Sequence, residues 1–346
     1  MLIGKILKKG LELNASDIIL SPLSKPSIKV NGDVIQDESF EIFEREVLDN
    51  EIMSIMSEKQ RREFVDTKEL DFGIDMKGYS RFRVNAFVQR DGYAVVFRPI
   101  KSELPTFEQL GVPPQVLDFV EKKHGLILVT GSVGSGKSTT LAALLKHINQ
   151  NHKKHIITIE DPVEFIHKND KSLVEQREVG TDTHSFYNGL KYALRQASDV
   201  ILVGEMRDLE TFRLALRAAE TGNLVLATLH TSGAARTVSR IIDMFPGGEK
   251  EQIKQQLSEG LIGVVWQDLL KRADGKGRIP ACEVLVNSTS VSNMIRKGLT
   301  HQIDGVIETS RAEGMVTMKK SLEKLFGMGL ISKDNYEYNL KYLSTK

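Results

Sequence analysis

The chain has 346 residues, 40% hydrophobic and 27% charged, with 47 basic against 46 acidic side chains and a net charge of +1. These values fit a globular protein of about two domains at ~150 residues each, and exclude an overall charge that drives the chain onto nucleic acid or an anionic membrane. The single cysteine, Cys282, excludes an intrachain disulfide framework or an all-cysteine zinc site, and no window approaches the ~18 apolar residues of a membrane span.

The first nine residues, Met1 to Lys9, read as an amphipathic helix. They lack the apolar core and cleavage site of a signal peptide, so the expected location is the cytoplasm, docked peripherally on a membrane complex. Asp17–Leu20 and Ser27–Val30 read as short strands, with Asn31-Gly32 a turn signal. Ile42 to Phe64 reads as one helix with Val47, Leu48, Ile52, Ile55 and Met56 on one face. Arg81 to Val88 alternates as a strand and turns at Asp91-Gly92 into Tyr93–Arg98. Residues 1–100 therefore form a small α/β domain. Pro105, Gly111 and Pro113 mark 101–114 as a linker and hinge, and 115–346 as the second domain.

In that second domain strands alternate with helices, the pattern of a parallel sheet, with core strands at 126–130, 155–159, 200–203 and 224–228. From about 233 onward the chain reads as mainly helical, with C-terminal helices from about 285. Cys282 lies in an apolar, strand-like run, Ile279 to Val286, where a buried structural thiol outweighs a nucleophile.

Four motifs carry chemistry. Gly131-Ser132-Val133-Gly134-Ser135-Gly136-Lys137-Ser138-Thr139 follows an apolar strand and opens a helix bearing Leu141, Leu144, Leu145 and Ile148. That is the context the G-x-x-x-x-G-K-[ST] pattern requires. Its glycines turn backbone N–H groups inward, Lys137 is expected on the β- and γ-phosphates, and the Ser138 hydroxyl on Mg²⁺. A glycine-rich turn between core elements is the plain alternative; motif and context together favour ATP binding and hydrolysis.

Acidic or basic residues follow three core strands. Glu160, Asp161 and Glu164 follow Ile156–Ile159; Glu205 follows Val200–Val203; His230 follows Leu224–Leu229. Ligands bind along the carboxyl edge of such sheets, so Glu205 is expected to orient the attacking water or a Mg²⁺-bound water. Glu160, Asp161 and Glu164 are expected to serve metal-bound water or nucleotide, and His230 to sense phosphate or position Glu205. Solvated acids and a structural histidine at strand ends are the alternatives.

Taken in order, these motifs resemble the Walker A, Asp box, Walker B and His box of the secretion-type ATPases, specifically the type IV pilus retraction motors of the PilT/PilU kind. Arg81-Phe82-Arg83-Val84-Asn85-Ala86-Phe87 and Gln176-Arg177-Glu178-Val179 are also similar to family segments. The resemblance implies a PAS-like N-terminal α/β domain, a RecA-like P-loop ATPase core with a helical C-terminal region, and a homohexamer. It implies ATP and Mg²⁺ as cofactors and Arg81, Arg83 and Arg98 as nucleotide-facing arginines. Partners implied are an inner-membrane pilus platform protein and a paralogous retraction ATPase, at the cytoplasmic base of the pilus, with no nucleic acid.

Two segments depart from the family pattern. Asn223 replaces a usual histidine in Glu220-Thr221-Gly222-Asn223, and Ser292 and Leu299 alter the C-terminal segment Ser290 to Leu299. The nearest alternative is a pilus-assembly or type II secretion ATPase, which usually adds a longer N-terminal region and a four-cysteine zinc motif. A RecA-like nucleic-acid motor would need a basic channel, of which the near-neutral charge gives no sign. A ring component that binds nucleotide without hydrolysing it is disfavoured by Glu205.

Overall fold

The computed structural model describes residues 2–30, 33–76, 80–100 and 104–344. The turn signal Asn31-Gly32 and the first part of the linker, 101–103, lie outside the described residues. The chain divides into two compact units, Met1–Glu103 with Pro162–Ile166, and Leu104–Asp161 with His167–Lys346.

The N-terminal unit starts with helix α1 (Leu2–Glu12), whose Ile3, Ile6 and Leu7 are buried. Strands β1 (Asp17–Leu20), β2 (Ser27–Val30) and β3 (Asp33–Gln36) follow. The predicted single helix from Ile42 to Phe64 is two helices, α2 (Arg45–Ser54) and α3 (Glu58–Thr67). The break has a local cause. Ser57 accepts from Gln60 N while Ser57 N donates 2.9 Å to Gln60 Oε1, a capping box that starts a new helix. Leu48, Ile52 and Met56 are buried as the periodicity implies, whereas Val47 faces solvent. Then come β4 (Glu69–Met76), β5 (Ser80–Gln89) and β6 (Gly92–Ile100). The six strands pair antiparallel in the order β3-β2-β1-β6-β5-β4.

In the second unit the expected linker carries one short helical turn, α4 (Phe107–Leu110), and a second, α5 (Leu117–Val120), follows it. Phe107 is buried within the linker, so apolar anchorage outweighs the Pro and Gly signals of a bare connector. The sheet is built from β7 (Gly125–Thr130), β8 (His155–Glu160), β9 (Leu173–Glu178), β10 (Val200–Val203), β11 (Leu224–Leu229), β12 (Leu261–Lys271) and β13 (Arg278–Val286). Their order is β13-β12-β7-β11-β10-β8-β9, parallel throughout except for the β12–β13 hairpin. The crossovers use α6 (Lys137–Asn151), α7 (Phe186–Ala193), α8 (Leu209–Glu220), α9 (Ala234–Met244) and α10 (Lys250–Gly260). The chain continues into α11 (Thr289–Lys297), α12 (Ile303–Thr309), α13 (Met318–Gly327) and α14 (Lys333–Ser344).

Both faces of this sheet are covered. Leu126 and Leu128 of β7 point into one apolar cluster and Ile127 and Val129 into the other, as alternation along a strand demands. The expectation that the chain turns mainly helical from 233 is wrong at the hairpin. The apolar run of β12 suits a buried helix as well as a strand, and pairing with β7 on one side and β13 on the other decides it. Cys282, within β13, is fully buried, and burial pushes its thiol up to about 12, so it is the inert core thiol the sequence implies.

Gly263 marks the register shift where β12 meets β7. A Cβ there would stand 2.5 Å from the Phe119 ring and 2.6 Å from the Leu285 carbonyl. Gly263→Ala therefore forces the ring and strand apart and should cost about 1–3 kcal/mol, read as a lower urea midpoint.

Candidate functional site at the carboxyl rim of the parallel sheet

Parallel pairing brings the C-terminal ends of β7, β11, β10 and β8 to one rim. The Gly131–Gly136 loop leaves β7 there and runs into α6. Gly131 has φ +144°, and a Cβ on it would lie 2.3 Å from the Gln267 carbonyl and 2.6 Å from Ser135 Oγ. Only glycine permits this approach, which folds the loop back over the helix start. No side chain caps α6 at Gly136, so the first-turn N–H groups face the loop uncapped. The Ser135 hydroxyl is buried without a partner among the described residues. Uncapped donors and an unpaired buried hydroxyl beside a lysine form a cradle for an anion.

Lys137 is only 8% exposed. Its Nζ donates 3.0 Å to the Gly131 carbonyl and 2.8 Å to the Ser132 carbonyl. The same nitrogen lies 3.4 Å from His230 Nδ1, and His230 Nε2 lies 3.1 Å from Glu205 Oε1. One neutral tautomer satisfies both contacts: Nδ1 accepts from the ammonium and Nε2–H donates to the carboxylate. Arg207 closes the chain, its Nη2 donating 2.7 Å to Glu205 Oε2. The result is a continuous path, Lys137–His230–Glu205–Arg207, across three strand ends.

Glu205 sits just past Val203 because Gly204 extends the rim by one residue; Gly204 N donates 2.8 Å to the Ile159 carbonyl, and its carbonyl accepts from the Thr228 hydroxyl. Partial burial works to raise the Glu205 carboxyl. The Arg207 hydrogen bond, with the charges of Arg207 and Lys137, outweighs it and holds the carboxyl below its ordinary value.

Glu160 ends β8 on the same rim, but its Oε1 accepts from Thr158 Oγ1 at 2.7 Å and Gln176 Nε2 at 3.2 Å. The neighbouring Asp161 is exposed and its charge acts on Arg207. Glu164 belongs to the other unit and is exposed.

The three predicted arginines also lie in the N-terminal unit, on one face of its sheet. Arg81 stands opposite Asp75 and binds it at 3.0 Å. Arg83 stands directly opposite Arg98 in the β5–β6 register. Cross-strand like charges repel. Asp17 offsets this by taking Arg98 Nε and Nη2 at 2.9 and 2.7 Å, and Asp71 lies 4.0 Å from Arg83.

Sequence reasoning missed Arg207 and Gln267. Gln267, 1% exposed, donates 2.6 Å to the Ser135 carbonyl and accepts 2.9 Å from Thr140 Oγ1, bracing the loop from β12. A polar residue inside the apolar run of β12 was the available signal.

The chain's residues 1–325 match the model of the family described as type II/IV secretion system protein. The chain belongs to that family. It is 48% identical over 307 residues, 89% of this chain and 82% of the relative, to a twitching motility protein of Neisseria gonorrhoeae. It is 45% identical to the type IV pilus retraction ATPase PilT of Pseudomonas aeruginosa, covering 96% of each. The crystal structure of a pilus retraction motor PilT with bound ADP matches with a TM-score of 0.91 at 43% identity, over 96% of this chain and 95% of that one.

Two departures from the family pattern acquire a physical account. Asn223 precedes the first residue of β11, so the strand's length, ~3.3 Å per residue, separates it from the rim. Its amide donates to the Ser198 carbonyl, a task that needs no charge. Ser292 Oγ donates 2.8 Å to the Ser258 carbonyl, tying α11 to the end of α10.

The Glu205 geometry has a measurable consequence. A lowered folded-state pKa means that ionised Glu205 contributes its full stabilisation above the ordinary glutamate value, and loses it as pH falls through the lowered one. Arg207→Gln should raise that carboxyl toward or past the ordinary value, read by NMR titration of isotope-labelled glutamate side chains. An unshifted Glu205 resonance would contradict the assigned pairing.

Proposed function

We propose that this secretion-family ATPase binds ATP at the Gly131–Thr139 cradle and drives pilus retraction. The observation that carries the reading is the Lys137–His230–Glu205 path, which links the phosphate cradle to a carboxylate kept ionised. The β- and γ-phosphates would take Lys137 from its two loop carbonyls, the α6 N-terminus supplying further N–H donors. Glu205, held anionic by Arg207, orients the attacking water. His230 contacts both the lysine and Glu205, so a change at the phosphate is felt at the carboxylate through one imidazole.

The half-buried Ser138 hydroxyl, one residue into α6, fits the requirement for a Mg²⁺ ligand. Such an ion supplies charge neutralisation on the phosphates; Glu160 and Glu164 are the carboxylates proposed to bind its waters. Arg81, Arg83 and Arg98 share one sheet face, and an incoming phosphate can replace their carboxylate partners. This supports the reading in which the N-terminal unit contributes arginines to nucleotide within a homohexameric ring.

The relatives' names support retraction rather than assembly. In this reading the ring works at the cytoplasmic base of the pilus on an inner-membrane platform protein, with or beside a paralogous ATPase, and disassembles pilin subunits. The pivot lies in the segment 101–114. Among the described residues no helix is long and apolar enough to cross a membrane.

Lys137→Ala should remove nucleotide binding, and Glu205→Gln should lower phosphate release by about 10²–10⁴-fold while ATP still binds. Retained turnover in Glu205→Gln would remove its assignment. Cells lacking the gene should carry excess, static pili; bald cells would instead mean assembly.

A further inference from the structure

At the end of α6 opposite the phosphate loop, three side chains meet that the nucleotide site does not use. His147 lies in the last turns of α6, His152 is its C-cap, and Glu121 is the C-cap of α5. Their ligating atoms all lie within 4.8 Å of one another. Glu121 Oε1 is 3.3 Å from His147 Nε2 and 3.2 Å from His152 Nε2.

We propose that Glu121, His147 and His152 form a binding site for a zinc-class divalent ion. Ligand atoms bound to a tetrahedral ion at ~2.0–2.1 Å stand about 3.3 Å apart along the tetrahedron's edge. The two nitrogen–oxygen separations already match that edge. An ion seated between them takes the two Nε2 lone pairs and one carboxylate oxygen. Two imidazoles and a carboxylate suit zinc far better than magnesium or calcium, and leave a fourth position for water.

The surroundings favour a cation. The site lies at the C-terminal end of a 15-residue helix, where the unpaired carbonyls carry partial negative charge. Glu108 on α4 is close enough for its charge to interact with His147. Side-chain exposures of 26% for His147, 30% for His152 and 51% for Glu121 leave a path from solvent. Bound there, the ion would clip α5 to the far end of the helix that opens at the phosphate loop.

The test is calorimetric titration of the full, tag-free chain with Zn²⁺ in excess Mg²⁺, with Co²⁺ absorption reporting the ligand geometry. One ion per chain and a tetrahedral Co²⁺ spectrum are expected. His147→Ala and His152→Ala should each weaken binding about tenfold or more. Glu121→Gln keeps the shape and hydrogen-bond capacity and should weaken it too, so loss through misfolding is distinguishable. Absence of stoichiometric binding overturns the proposal, as does binding unchanged by all three substitutions, which would place the ion on other histidines among the chain's eight.

Discussion

Parallel pairing of β11 between β7 and β10 is the constraint from which the site follows. The register sets Leu229 beside Thr130 and Ala227 beside Val203. The residues just beyond, Gly131, Gly204-Glu205 and His230, therefore emerge on one rim. These strands are wholly buried, with Leu224–Leu229 and Gly125–Thr130 covered along their entire lengths. A one-residue slip would turn every side chain to the opposite face and misplace the chemistry along with the core. The energy that holds the fold together is thus the same energy that aligns the reactive groups.

A buried ammonium is costly unless it is paired. Lys137 meets that cost with two loop carbonyls and an imidazole, which a polyanion can replace without leaving the charge bare. Gln267 performs the complementary task. Its amide holds the Ser135 carbonyl and the Thr140 hydroxyl, so the loop is braced on the side away from its ligand-facing N–H groups. The N-terminal sheet stores its positive charge similarly, Arg83 facing Arg98 with Asp17 and Asp71 nearby.

The candidate site was legible in the sequence where its parts are local. The phosphate loop is one contiguous run with a fixed strand and helix on either side. Glu205 and His230 are found by asking which polar residue follows a buried strand. The same local logic failed where two local rules compete. Periodicity carried a helix through Ile55–Ser57, but the Ser57–Gln60 box restarts it. The β12 run satisfies helix and strand templates alike, and only its neighbours choose.

Length and near-zero net charge are read directly from the sequence; the P-loop, the polar residues that follow the buried strands and the apolar run around Cys282 were also determined there, because each depends on residues within a few positions of one another. The partnership of Gln267 with Ser135, 132 residues apart, was decided by tertiary structure, as were the pairing of Arg83 with Arg98 and the meeting of Glu121 with His147 and His152. These contacts join segments whose spacing carries no periodic signal. They exist only once the sheets have closed and the helices have found their places against them.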